Sequence, residues 1–195
     1  MRLMAARKVN EIDHIGAFLR RWLVPDEPVA PPSRSRRSSK GNINLAGTVG
    51  ASRSALLAPT DPGFLMSVEP GVRDLVAAFV QIGAITYTSC EGHDYGGDVQ
   101  DERHVGVLIR NDAEACRLER MWRTAESLVS PPLELGMMRH SVKSQGHAVR
   151  AIDFYLTCGD DVAASEYFAA LAATSERLAQ AIPLIWVRQD VGHGE

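Results

Sequence analysis

Between Glu69 and Arg188 the apolar residues change repeatedly from helical spacing to the alternation typical of strands. Because each element must bury its apolar face against another, this order predicts a mixed α/β fold. We expect helices over 69–82, from the Asn111 cap to 129, and from an Asp160 or Asp161 cap to 182, where Pro183 would end the helix. Strands are expected over 84–90, 104–110, 134–143, 148–158 and 184–188.

From His104 onward the predicted order is strand, helix, strand, strand, helix, strand. This is the βαββαβ order of the ferredoxin-like fold, which belongs to the split βαβ motifs. We therefore predict a ferredoxin-like core of the α+β type. The helix and the strand over 69–90 would be an N-terminal addition to that core, and a partly disordered arm would precede them.

The first part of the chain divides into two segments by composition. Residues 1–24 contain an amphipathic helix, from Val9 to Val24, whose apolar stripe could pack on the main domain or on a second copy in a homodimer. Residues 25–63 are rich in Pro, Gly, Ser and Arg, which predicts a flexible basic linker. We expect residues 64–195 to form a single α/β domain.

The composition excludes several classes of protein. With 21 basic and 24 acidic residues the chain has no positive excess to hold a phosphate backbone, so nucleic acid is expected only at the basic linker. No apolar run is long enough to span a membrane, and the N-terminus lacks the pattern of a secretory signal, which predicts a cytoplasmic protein with no membrane partner. The three cysteines are widely spaced and are expected to be free thiols.

The loop after the first strand of the domain is the best candidate for chemistry. It carries Cys90, Glu91, His93 and Asp94 within five positions, and His104 begins the next strand. A thiolate and an imidazole at C-x-x-H spacing can bind one divalent cation, with zinc expected, and Asp94 and His104 are the candidates to complete its ligands. Glu91 is the candidate general base, and Cys90 is counted as a catalytic residue as well.

Other interpretations of the loop stay open. Cys90 could act as a nucleophile beside His93, or it could be a small buried residue that precedes an ordinary turn. We predict a small metal-dependent enzyme, a hydrolase or a group-transfer enzyme, acting on a small-molecule or nucleotide-like substrate. The alternative is a non-catalytic module that binds a ligand or another protein.

The segment from Ile85 to His93 follows a helix and a glycine, and over about ten residues it resembles the Ser-Cys-Ser-Gly-Arg turn of the wybutosine-forming tRNA methyltransferase family. Glu91 and His93 depart from that pattern. The resemblance implies a protein related to RNA modification as a further alternative, and S-adenosylmethionine chemistry is not carried over to this chain.

Overall fold

The computed structural model shows a mixed α+β fold, in which helices pack on a mainly antiparallel sheet. It describes residues 2–3, 15–23, 36–37, 43–44, 57–60, 64–94, 99–144 and 147–191. The helices within these ranges are α1 (Ile15–Leu23), α2 (Phe64–Ser67), α3 (Arg73–Gln81), α4 (Asp112–Thr124) and α5 (Ala164–Val191). The strands are β1 (Arg2–Leu3), β2 (Arg36–Arg37), β3 (Ile43–Asn44), β4 (Ile85–Cys90), β5 (His93–Asp94), β6 (Val99–Asp101), β7 (Arg103–Leu108), β8 (Leu133–Ser144) and β9 (His147–Cys158).

The main sheet has the strand order β1-β8-β9-β7-β4. Its four longer strands are antiparallel to their neighbours, and β1 adds a short parallel pairing to β8. Since β7 and β8 both run antiparallel to β9, the two are parallel to each other, and α4 connects them. They therefore form a βαβ unit with β9 inserted between its strands. Two small ladders, β2 with β3 and β5 with β6, stand apart from this sheet.

The larger core lies between the sheet and α3, α4 and α5. Its centre is aromatic, with the rings of Phe79 and Phe154 stacked at 5.2 Å and Trp122 at 5.2 Å from Phe154. The indole N–H of Trp122 donates to the carbonyl of Gly136, so this buried polar group keeps a partner. On the opposite face of the sheet, Phe18 of α1 is 1% exposed and belongs to a smaller apolar cluster.

Most predicted elements are confirmed. Pro70 opens a single 3-10 turn that leads into α3, and Gly83 follows α3 with a φ of +78°, a conformation that favours glycine. The side chain of Asn111 caps α4 by accepting the Glu114 N–H at 2.9 Å. The antiparallel pairing of β8 with β9 continues to Ser144 and His147, as the predicted hairpin requires.

The predicted final strand over 184–188 is wrong, because these residues belong to α5, which continues through Pro183. Tertiary packing explains the difference. Ile185 and Trp186 pack against the core, and the Arg117 guanidinium lies 3.7 Å above the Trp186 ring. The sheet edge beside β7 is occupied instead by β4, which precedes β7 in the chain. The ferredoxin-like order predicted from His104 therefore lacks its last strand.

We expect the substitution Pro183→Ala to stabilise the protein. Proline inside a helix removes one backbone hydrogen bond and crowds the preceding turn, so alanine should raise the free energy of unfolding by about 1–3 kcal/mol. Urea unfolding would measure the change. The exposed residue Gln180 of the same helix gives the control Gln180→Ala, expected to stay within roughly 0.5 kcal/mol of the native protein. A loss of stability in Pro183→Ala would contradict a continuous α5.

The predicted linker over 25–63 and the predicted disordered arm lie mostly outside the described residues, which include only β2, β3 and 57–60 from that stretch. The predicted N-terminal helix is represented by α1, and the rest of that prediction also falls outside the described ranges. Within the described residues, each helix is too short or too polar to cross a membrane.

Candidate metal site

The end of β4 and a tight turn bring Cys90 and His93 together. After Cys90 the chain reverses through Gly92, whose φ of +85° lies in the left-handed region that favours glycine. The Gly92 N–H donates to the Cys90 sulfur at 3.4 Å. This turn carries the chain into β5, where the His93 side chain is buried.

Glu69 is a third member of the group, and the sequence analysis did not predict it. This residue precedes the 3-10 turn at Pro70, but its side chain makes no capping hydrogen bond there. Instead its carboxylate reaches the loop after β4. One oxygen, Oε2, accepts the Glu91 N–H at 2.8 Å, and the other, Oε1, lies 3.1 Å from His93 Nε2.

Glu69, Cys90 and His93 form a group with the composition of a metal site. Their potential ligand atoms all lie within 4.8 Å of one another. Glu69 and His93 are buried, and Cys90 is half-buried. A thiolate, an imidazole and a carboxylate are the ligand types that zinc binds in proteins, and three of them would leave one coordination position open.

Arg103 supports the loop from the neighbouring strand. Its side chain is buried, with Nε donating to the Glu91 carbonyl at 2.9 Å and Nη1 donating to the Ser175 hydroxyl at 2.7 Å. The guanidinium thus connects the candidate metal loop to α5. Burial lowers the pKa of Arg103 from its ordinary value, and nearby acidic groups, first Tyr167 and then Glu91, oppose that shift.

The carboxylate of Glu91 is hydrogen-bonded to the backbone of the turn before α3. Its Oε2 accepts the Gly71 N–H at 2.8 Å. A Cβ added at Gly71 would lie 2.9 Å from Arg103 Nη2 and 3.0 Å from Glu91 Oε2, so the backbone packs directly on these two charged groups. This arrangement fixes the shape of the loop.

Two of the predicted ligands stand outside the group. Asp94 is exposed and pairs through its backbone with Val99 of β6. His104 is the register partner of Cys90 across β4 and β7, but its Nδ1 lies 3.1 Å from the Glu102 carbonyl and its ring packs 5.1 Å from Tyr155. Of the predicted ligands, therefore, Cys90 and His93 are brought together.

The remaining cysteines lie elsewhere. Cys116 is exposed on α4 and Cys158 is buried in the larger core, and neither is joined to Cys90 by a disulfide bond. No protein-family model, curated protein or solved structure matches this chain. The functional argument therefore depends on the geometry of the site.

Proposed function

We propose that Glu69, Cys90 and His93 bind one zinc ion and that the protein is a small metal-dependent enzyme, a hydrolase or a group-transfer enzyme. The observation that carries this proposal is the convergence of three different ligand types from two separate parts of the chain. His93 and Glu69 are buried, and His93 Nε2 lies 3.1 Å from Glu69 Oε1. A shared cation would bind at these two atoms and at the Cys90 sulfur.

The charges of the surrounding residues support the same proposal. Glu69, Glu91 and a Cys90 thiolate would together carry three negative charges in a region with little contact with water. The guanidinium of Arg103 balances one of them. A divalent cation would balance the other two, with the His93 imidazole neutral as a ligand requires.

The roles of the residues follow from their contacts. Glu69, Cys90 and His93 would hold the ion, and an ion with one open position would supply an activated water for hydrolysis or transfer. Glu91 and Arg103 are assigned as positioning residues. The Glu91 carboxylate accepts the Gly71 N–H before α3, and the Arg103 guanidinium donates to the Glu91 carbonyl of the loop. The substrate class proposed remains a small-molecule or nucleotide-like compound.

Zinc binding should depend on Cys90 and not on Cys116. The native protein and the control Cys116→Ser should each contain about one zinc per chain by elemental analysis, because Cys116 lies on the surface of α4. At a free zinc concentration about 100 times the dissociation constant, the ion should add roughly 2.7 kcal/mol to the free energy of unfolding. Cys90→Ser should lose both the bound zinc and this stabilisation.

Equal zinc content in Cys90→Ser and in the native protein would refute the proposed site. Enzymatic activity needs a separate measurement, a screen of phosphoester, amide and nucleotide substrates with zinc-loaded protein. We expect turnover that a chelator abolishes and that added zinc restores. Zinc binding without turnover of any substrate would favour the non-catalytic ligand-binding module instead.

A further inference from the structure

The face of the sheet that points away from α3, α4 and α5 carries α1. Phe18 of this helix is 1% exposed, and Leu19 and Trp22 are partly buried beside it. Phe18 packs in a small apolar cluster, which we call the second core, with five residues of the sheet: Ile85, Tyr87, Leu108, Val142 and Ala151. Among the described residues, the second core and the larger core share no side chain. Undocking of α1 would therefore remove nothing from the larger core.

The described side chains of α1 are held to the sheet by apolar contacts. Phe18 and Leu19 have no polar side-chain atom, and Arg20 is exposed. The indole nitrogen of Trp22 is buried and has no hydrogen-bond partner. A buried N–H without an acceptor costs free energy, and exposure to water removes this cost. The unpaired indole N–H therefore opposes docking of α1 and favours its release.

The length of α1 makes its order depend on docking. The helix has nine residues, Ile15–Leu23, and isolated helices shorter than about 12–15 residues are marginal in water. We therefore expect α1 to unfold when it leaves the sheet. The chain keeps α1 joined to the domain, so its return is intramolecular and independent of protein concentration.

A hydrogen-bond network lies beside the second core. The Tyr87 hydroxyl donates to Asp153 Oδ1 at 2.7 Å, and His140 Nε2 lies 2.9 Å from the same hydroxyl and 3.1 Å from the same carboxylate oxygen. The side chains of His140 and Asp153 are 6% and 4% exposed. Burial, followed by the charge of Asp153, raises the pKa of Tyr87, so the hydroxyl keeps its hydrogen. Because these groups satisfy one another, the network does not depend on a partner in α1.

His140 lies next to the surface that α1 covers. It is the register partner of Ala151 and lies two positions before Val142 on β8, so the three side chains point to the same face of the sheet. Ala151 and Val142 both pack in the second core with Phe18. Tyr87 joins the two groups, since its ring belongs to the second core and its hydroxyl belongs to the network.

The network determines which nitrogen of His140 is free. The hydroxyl hydrogen of Tyr87 points to Asp153, so both oxygens near the imidazole can only accept from it. Nε2 therefore carries a hydrogen, and in the neutral ring Nδ1 has the free electron pair. Within the part of the chain that the structure describes, Nδ1 makes no hydrogen bond. A molecule that reaches this face would meet a basic, nucleophilic nitrogen.

We propose that α1 is a displaceable cover, which undocks and unfolds while the larger core stays folded and thereby exposes the imidazole of His140. The separate second core, the apolar docking and the unpaired indole N–H of Trp22 support this proposal. The Tyr87, His140 and Asp153 side chains stay hydrogen-bonded to one another in both states. The proposal does not depend on zinc, because the three proposed zinc ligands belong neither to the second core nor to the network.

Amide hydrogen exchange, measured by mass spectrometry of peptides, tests the undocking. In the native protein the amides of α1 should exchange at least about 100-fold faster than those of α4, because local opening requires less free energy than global unfolding. Phe18→Ala should accelerate exchange in α1 by about tenfold or more, since it removes the buried anchor, and should leave exchange in α4 unchanged. The control Arg20→Gln changes an exposed residue of α1 and should exchange as the native protein does.

Reaction with diethyl pyrocarbonate tests the exposure of His140. This reagent modifies an unprotonated imidazole nitrogen, so the measurement is made at about pH 8, above the range in which imidazole ordinarily titrates. His140 should react at least about tenfold faster in Phe18→Ala than in the native protein, because the variant shifts α1 to the undocked state. His104 packs on Tyr155 outside the second core, and it should react equally in both proteins.

Three results would overturn the proposal. Equal exchange in α1 and α4 of the native protein would mean that α1 leaves only when the whole domain unfolds. Acceleration of α4 exchange in Phe18→Ala, as large as that of α1, would mean that the two cores unfold together. Unchanged reactivity of His140 in a variant whose α1 exchanges faster would mean that α1 does not cover this residue.

Discussion

Replacing Arg103 with methionine should lower the free energy of unfolding by about 3–5 kcal/mol, the usual cost of removing one partner from a buried charged pair. Methionine keeps much of the length and the apolar character of the side chain, so the loss comes from the polar contacts. The Glu91 carbonyl and the Ser175 hydroxyl would each lose a donor, and the buried Glu91 carboxylate would lose the nearby positive charge.

Urea unfolding measures the free energy of unfolding of Arg103→Met and of the control Arg123→Met. Arg123 is an exposed arginine of α4, and its change to methionine should alter stability by no more than roughly 0.5 kcal/mol. If both variants unfold at the same urea concentration, Arg103 does not hold the loop as described. A second readout is the zinc affinity, which should also fall in Arg103→Met because the loop that carries Cys90 and His93 would be less ordered.

Substitution of Glu69 by glutamine should weaken zinc binding by more than about 100-fold. Loss of a residue that only supports a ligand already costs roughly 10- to 100-fold in metal affinity, and Glu69 is proposed to be a ligand. Glutamine keeps an oxygen that can accept the Glu91 N–H. The change therefore removes the negative charge while it preserves the contact between Glu69 and the loop.

A competition titration with a coloured zinc chelator measures this affinity. Glu134→Gln serves as the control, because Glu134 is an exposed carboxylate on β8. An unchanged affinity in Glu69→Gln would remove Glu69 from the site and leave a two-residue pair. Retained affinity in Glu134→Gln is needed to show that the effect does not come from the net charge of the protein.

The elements of the fold were predictable where local signals and packing agree. The Asn111 cap and the Gly83 stop gave correct boundaries because both act within one turn of a helix. Pro183 misled the prediction, since its local cost is outweighed by the contacts of Ile185 and Trp186 with the core. The predicted strand after Pro183 depended on that one residue, and the structure has β4 in its place beside β7.

The candidate site was predictable only in part, and distance along the chain explains the difference. Cys90 and His93 are close in sequence, and the Gly92 turn between them is a local feature. Glu69 and Glu91 are 22 residues apart, and their contact exists only after α3 packs beside β4. The sequence signal for Glu69 was its position directly before Pro70, at the start of a helix. An acidic residue at a helix N-terminus is common and does not by itself indicate a metal ligand.

The contact of Glu69 with the end of β4 also bears on how the domain opens. β4 is the outermost strand on its side of the main sheet, and the last strand of a sheet is the one that separates most easily. A zinc ion bound by Glu69 before α3 and by Cys90 and His93 around the turn after β4 would hold this strand to the helix layer. Detachment of β4 would then require release of the ion. The edge that opens most easily in the metal-free protein would open more slowly than most of the domain once the ion is bound.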